Sequence, residues 1–224
     1  MNVSKYNTFF QFSLAHLLIM CLMFSLYSCH KFPKKIIEPI ETTDTIYLKN
    51  GESAIDTVFV GKMEVAPIAK IDPRLWNNDE VAYSFFLVRH AEKMSGSNPS
   101  LKPEGIERSE ALAEILNDVP LDAVYSTEFN RTQETAKPCA KSHGLEITSY
   151  KPKELEIAVE GIFTKYKEGN FLVVGHSNTT PSLLNVLLGI NAYTDLDESE
   201  FDNLFIVNIY KSGNSKVHQL KYGQ

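Results

Sequence analysis

A chain of 224 residues, 43% of them hydrophobic, can bury one good core with at most a small appendage. Its formal charge of −6 is spread along the sequence, and no Lys/Arg cluster or basic stripe suggests a nucleic-acid partner. Three cysteines, Cys21, Cys29 and Cys139, are too few for a disulfide framework.

Lys5 is the sole charge of the first 28 residues, and an apolar stretch from Phe9 to Tyr27 follows it. Leu26-Tyr27-Ser28-Cys29 closes this segment with small residues and a cysteine. A positive start, an apolar middle and a small-residue end read as an export signal over residues 1–28. Cys29 resembles the lipid acceptor of a bacterial lipoprotein, although Tyr27 is bulkier than that pattern prefers. The alternative is a single membrane-spanning anchor, since the run approaches spanning length. Either way the remainder is expected to be exported and held at a membrane surface. With Cys29 lipidated, Cys139 has no partner, and the domain must depend on its core.

Residues 29–80 read as a tether. Lys31, Lys34, Lys35, Pro33 and Pro39 argue against a helix. Asp44–Leu48 is echoed by Asp56–Val60 with Asn50-Gly51 between them, which suits either a small hairpin or an extended spacer.

From Val81 onward strands and helices alternate, and residues 81–224 form the expected main domain. Phe85-Phe86-Leu87-Val88 ends in Arg89-His90-Ala91-Glu92, as a buried parallel strand does when it delivers polar groups to its C-terminal end. Pro103 fits the first turn of a helix, and Leu112, Ile115, Leu116 and Val119 give it one apolar face. Leu121–Tyr125 is a second strand ending at Ser126-Thr127. A helix carrying Arg131 and Thr135 runs to about Ser142, with Gly144 suited to its stop. Leu145–Tyr150 is a third strand. The stripe Leu155, Ala158, Val159, Ile162, Phe163 and Tyr166 marks a helix closed by Gly169. Phe171–Val174 is the most apolar strand, and Gly175-His176-Ser177-Asn178 follows it. Thr180-Pro181 opens a helix that stops at Gly189. Leu204–Ile209 and Val217–Leu220 supply the last strands, the final one at an edge. This order predicts a three-layer α/β/α sandwich with a mostly parallel sheet.

Arg89 and His90 end one strand, Arg131 lies just after another, and His176 ends a third. In a parallel sheet those positions converge on one rim. Two guanidiniums there predict a dianionic, oxygen-rich ligand. Arg131 also falls near a helix start, where N–H groups and dipole favour an anion.

Arg89-His90-Ala91-Glu92, Ser126-Thr127 with Arg131-Thr132 and Thr135-Ala136, and Gly175-His176-Ser177 together resemble the signatures of the histidine phosphatase superfamily. The likeness is to the small phosphatases of this phosphoglycerate-mutase-like group, over about residues 81 to 210. It implies that His90 is the residue that becomes phosphorylated, and that Arg89, Arg131 and His176 hold the phosphoryl oxygens. A neutral imidazole can attack phosphorus and divide one displacement into two easier ones, while fixed cations stabilise the transferring group. No cofactor is expected, and no metal is needed where arginines perform that task.

Many relatives use a carboxylate to protonate the leaving group. Glu128 and Glu156 are the candidates, each with the plainer reading of a solvated surface charge. Asn178 stands near where other branches place an aspartate, which closes that route, and Glu92 reads as a structural orienter. Thr132 and Thr135 read as cap or packing residues. His16, His30, His143 and His218 have no motif around them. The 44 residues from Thr132 to Gly175 are filled by regular elements, leaving little for a lid. Net hydrolysis of a small phosphorylated substrate from an open site is the expected activity, as a membrane-anchored extracytoplasmic phosphatase. A phosphohistidine or phosphoprotein phosphatase, and a phosphate- or phosphoglycan-binding lipoprotein without turnover, are the alternatives.

Overall fold

Nine residues of alternating exposure to two cores make the central strand. In the computed structural model, which describes residues 46–48, 67–68 and 70–223, β3 spans Val81–Arg89 and Phe85 to Val88 are completely buried. Successive side chains of a strand point to opposite faces. Accordingly Phe85 and Leu87 enter one core, and Phe86 and Val88 the other.

Before β3 come β1 (Ile46–Leu48), β2 (Pro67–Ile68) and a 3₁₀ turn over Pro73–Leu75. After it follow α1 (Pro103–Ile115), β4 (Ala123–Ser126), α2 (Asn130–Ser142) and β5 (Ile147–Ser149). The chain then continues through α3 (Leu155–Lys165), β6 (Gly169–Gly175), α4 (Thr179–Leu188), β7 (Asn203–Tyr210) and β8 (Ser215–Tyr222). The strand order is β1-β8-β7-β3-β6-β4-β5, with β2 also paired to β8. β3, β6, β4 and β5 run parallel, whereas β7 is antiparallel to both β3 and β8.

The predicted helices lie on both faces. Leu112, Ile115 and Leu116 of and just after α1 share a core with Ala136, Cys139 and Ala140 of α2. Leu155, Val159 and Ile162 of α3 join Leu183, Leu184 and Leu187 of α4 on the other face. The expected α/β/α sandwich is therefore the one observed. Pro103 stands at the start of α1, and Gly189 ends α4 in a left-handed conformation at φ 65°.

Two expectations change. β8 is not left as a bare edge, because Ile46–Leu48 pairs with Ser215–Val217 and Pro67–Ile68 with Lys221–Tyr222. Short segments of the expected tether thus cover backbone groups that an edge strand would leave open. Gly169 does not close α3, which ends at Lys165; instead it opens β6. The signal segment, Cys29 and most of the hairpin sequence lie outside the described residues. Among the described residues no helix is long and apolar enough to cross a membrane.

The other expected structural residues hold their places by burial. Cys139 is fully buried, and desolvation pushes its thiol up to about 12, so it packs as an inert hydrophobe. His143 spans the carbonyls of Cys139 and Val119, each at 2.9 Å.

Helix α1 approaches the segment after β3 at backbone distance. A Cβ placed on Gly105 would stand 2.2 Å from the Glu92 carbonyl oxygen, which is main chain and cannot swing aside. Gly161, midway along α3, has nothing within 4 Å of such a Cβ. Gly105→Ala is expected to lower stability by about 1–3 kcal/mol. Gly161→Ala is expected to raise it by up to about 1 kcal/mol. Thermal unfolding of the two variants checks the contrast.

Candidate active site

Three neighbouring parallel strands end at one level. Arg89 of β3 is in register with Gly175 of β6, and Val174 of β6 with Ser126 of β4. The next residues along each strand, His90, His176 and Thr127, therefore emerge side by side. The antiparallel β7 starts where these strands stop, since Leu204 pairs with Val88. Consequently the segment before β7, residues 197–202, is also delivered to this rim.

His90 is 3% exposed. Its backbone N–H donates to Gly175 O at 2.9 Å, and its Nδ1 lies 2.8 Å from Ala91 O. A carbonyl only accepts, so Nδ1 carries the proton and Nε2 keeps its lone pair. The Ala91 N–H in turn donates to Thr135 Oγ1 at 2.9 Å, and that hydroxyl donates to Arg131 O at 2.7 Å. Thr135 therefore braces the loop that follows His90 against α2. Desolvation pushes the His90 imidazole down to about 3, and the charges of Arg89 and Arg131 and the nearby His176 add to the depression.

His176 faces His90 edge-on, with ring centroids 5.5 Å apart. Arg131 Nη2 donates to its Nδ1 at 3.3 Å. Because an arginine cannot accept, the His176 proton lies on Nε2 and is directed to Thr127 Oγ1 at 3.0 Å. Thr127 Oγ1 then lies 2.7 Å from Thr132 Oγ1, which reaches the Thr127 and Phe129 carbonyls. Burial, then Arg131 and Arg89, lower His176 to about 4. Both imidazoles are uncharged at neutral pH.

The arginines are held unequally. Arg89 is 2% exposed. Its Nη1 donates to Asp197 O (2.8 Å) and Glu200 O (3.1 Å), and its Nη2 to a Glu198 carboxylate oxygen (2.8 Å). Phe201 stacks 4.2 Å from this guanidinium. Arg131 lies over Phe129 at 4.6 Å, and its pKa is lowered by burial and by Arg89. The Nε atoms of both Arg89 and Arg131 are buried without a hydrogen-bond partner. An orphaned buried donor costs about 1–3 kcal/mol, and such donors on two arginines whose charges both act on His90 suit an acceptor-rich anion. The expected forks are thus refined: Arg89 has its two terminal nitrogens committed to the protein and its Nε unsatisfied.

The four residues singled out, Arg89, His90, Arg131 and His176, are brought together. The proton-donor candidates are not comparably placed. Glu128 and Glu156 are exposed, and neither is hydrogen-bonded to a site residue. Asn178 precedes α4 without capping it. Glu92 is turned to Arg108, which it meets through three contacts of 2.8–3.0 Å, while Arg108 Nη1 holds the Tyr222 carbonyl at 2.7 Å. It orients structure, as expected. Sequence reasoning missed Glu198 and Phe201, which lie in an acidic stretch without a motif; only the antiparallel placement of β7 explains their presence. Among the described residues no group of three or more His, Cys, Asp or Glu side chains is arranged to hold a metal ion.

A model of the histidine phosphatase superfamily (branch 1) matches residues 85–152, which include His90 and Arg131. The solved protein histidine phosphatase SixA complexed with tungstate superposes with a TM-score of 0.51 at 17% identity, covering 62% of this chain and 96% of that one. This is a histidine phosphatase fold. YhfR of Bacillus stearothermophilus (TM-score 0.51, 15% identity, 64% of this chain and 98% of that chain) shares it. So does phosphoglycerate mutase from Bacillus anthracis (TM-score 0.52, 15% identity, 63% and 94%). No curated protein sequence matches the chain. The histidine phosphatase fold places His176 beyond the matched segment, so the second histidine joins the site through the pairing of β3 with β6.

The depressed histidines also have a thermodynamic signature. In the unfolded chain each binds a proton near the ordinary value of about 6.5; folded, they do so only near 3 and 4. Between those limits the unfolded state binds more protons, so stability falls as pH drops below about 6.5. The slope is expected to reach about 1.4 kcal/mol per pH unit for each histidine. NMR titration is expected to show neither ring protonating between about pH 5 and 8, and pH-dependent unfolding of His90→Gln should show a shallower acid slope.

Proposed function

We propose that this protein hydrolyses a phosphomonoester through a phosphohistidine on His90. The observation that carries the reading is the pairing of a free imidazole lone pair with two buried, unpartnered guanidinium N–H groups. In the first step His90 Nε2 bonds to phosphorus as the ester P–O bond breaks, and the leaving oxygen takes a proton from water or from a protonated carboxyl group such as that of Glu128 or Glu156. In the second, water attacks phosphorus, the P–N bond breaks, and phosphate departs with His90 restored. Arg89 and Arg131 meet the equatorial oxygens on which charge accumulates. Burial is the largest cause of the His176 depression and the arginine charges come after it. A bound dianion therefore offsets the arginine part and leaves the His176 Nδ1 to face the phosphoryl oxygens once Arg131 turns to them. The arginines supply the electrostatic help that a divalent cation gives elsewhere, so turnover is expected in the presence of a chelator.

Hydrolysis is favoured over a mutase reaction because α2, β5, α3 and β6, joined by short connections, occupy most of the chain between Arg131 and His176. No insertion remains to enclose an intermediate against water. The name of SixA, protein histidine phosphatase, supports a phosphorylated histidine on a protein as the second substrate to test.

The export reading adds location. A lysine, an apolar run and Cys29 support a lipid-anchored enzyme on the outer side of a membrane, acting on exported or extracellular phosphoesters.

Replacing His90 by Asn is expected to reduce p-nitrophenyl phosphate hydrolysis to background and to abolish acid-labile labelling of the protein. Arg131→Ala is expected to lower kcat by a hundredfold or more. Full activity of His90→Asn would overturn the mechanism, and phosphate binding without turnover in the unaltered chain would favour a binding protein. For the anchor, Cys29→Ala is expected to shift the protein from the membrane to the soluble fraction and to remove labelling by a fatty-acid analogue. Unchanged fractionation and labelling would refute lipidation.

A further inference from the structure

Glu198 stands between the two halves of the site. One carboxylate oxygen accepts from Arg89 Nη2 at 2.8 Å and the other from Ser177 Oγ at 3.1 Å, so it bridges the residue before His90 and the residue after His176. Its side chain is 82% exposed although Arg89 is only 2% exposed. It therefore lies at the mouth, where the part of an ester beyond the phosphoryl group must pass. Ser177 and then Arg89 hold its carboxyl below the usual range, and it is an anion at neutral pH.

Building on the phosphatase reading, we infer that Glu198 is a specificity-determining residue that disfavours anionic leaving groups and admits neutral or cationic ones. The charge count leads there. With both histidines uncharged, Arg89 and Arg131 balance the two charges of a phosphoryl dianion. Glu198 is ion-paired with Arg89 and feels Lys93 more weakly, so its one negative charge set against these cations leaves only what a phosphoryl dianion takes up. Among these residues no further cation is left for a second negative group on the substrate, and the exposed Asp195 belongs to the same segment and adds to the repulsion. Phe201, whose ring lies 6.0 Å from that of His90, completes an apolar and acidic wall on this side. A carboxylate at the rim of a low-dielectric cleft acts on what enters beside it, and repulsion of the wrong charge is an ordinary source of selectivity.

The test compares phosphoethanolamine, phenyl phosphate and 3-phosphoglycerate as cationic, neutral and anionic esters, with the full chain and with Glu198→Gln. The amide keeps one oxygen that can accept from Arg89, removes the charge, and leaves the Ser177 hydroxyl to turn and accept from the amide NH2. The unaltered protein is expected to rank kcat/KM cationic over neutral over anionic. Glu198→Gln is expected to shrink the cationic-to-anionic ratio about tenfold, and added salt should shrink it in the unaltered protein alone. Calorimetric binding of the same esters to His90→Asn reads the ratio without turnover. Absence of hydrolysis with the expected binding ratio would refute the phosphatase reading and sustain the role of Glu198. A preference for 3-phosphoglycerate, or a ratio that Glu198→Gln leaves unchanged, would overturn that role.

Discussion

A permanent positive charge with 2% of its surface exposed is the constraint on which this rim depends. Arg89 cannot lose its proton, and an uncompensated buried charge costs several kcal/mol. The fold answers by leading the segment before β7 across the end of β3, where two carbonyls and one carboxylate take the terminal nitrogens and an aromatic face covers the guanidinium. That arrangement does two things together. It fixes the arginine without engaging its Nε, and it builds one wall of the cleft from the same residues. The cation needed by the anion and the chain that shapes access to it are thus one structure.

The site is equally a consequence of strand register. Pairing Arg89 with Gly175 sets both histidines at one height, and glycine is the residue that this height permits. A Cβ at Gly175 would lie 2.8 Å from Thr179 Oγ1 and 2.9 Å from Thr180 Oγ1. Both hydroxyls are occupied: Thr179 accepts the His176 N–H, and Thr180 donates to Val88 O. They sew the start of α4 to the ends of β6 and β3. On the opposite side Thr135 performs the same service between α2 and the Ala91 peptide. Helix starts are held to strand ends by single hydroxyls, which have few rotamers and leave little slack at the histidines.

Most of this architecture was legible in the sequence because its signals are local. The run Phe85–Val88 followed by Arg89-His90 carries strand, direction and chemistry within six residues. The stripe from Leu155 to Ile162 and the Gly189 stop are helix signals of the same kind. The polar motifs each sit at a strand end, so a parallel sheet alone brings them together. Glu198 and Phe201 were not legible, since their place depends on which strand β7 joins and in which direction, and hydropathy encodes neither. The covering of β8 by Ile46–Leu48 and Pro67–Ile68 is likewise a long-range pairing, with no turn between the partners to announce it. The orientation of Arg89 is a subtler miss: residue type announces a phosphate-binding fork, but the nitrogens left to bind depend on what the protein has already engaged.

Affinity for an anion and nucleophilicity toward it pull a histidine in opposite directions, and the site resolves this by separating the causes. Were the arginines alone responsible for keeping His90 neutral, an arriving dianion would cancel them and invite a proton onto the attacking nitrogen. Burial is instead the largest cause of the depression, and a substrate that fills the cleft deepens burial rather than relieving it. The bond from Nδ1 to Ala91 O leaves Nε2 as the sole position where an added proton could settle, which is also the position that phosphorus would approach in the proposed transfer. His176 is differently placed, because its Nδ1 is only an acceptor for Arg131 and is free to exchange that role once the arginine turns to a phosphoryl oxygen. One imidazole is held in a single state by its surroundings, and its neighbour is left able to change. The proposed two-step transfer needs both.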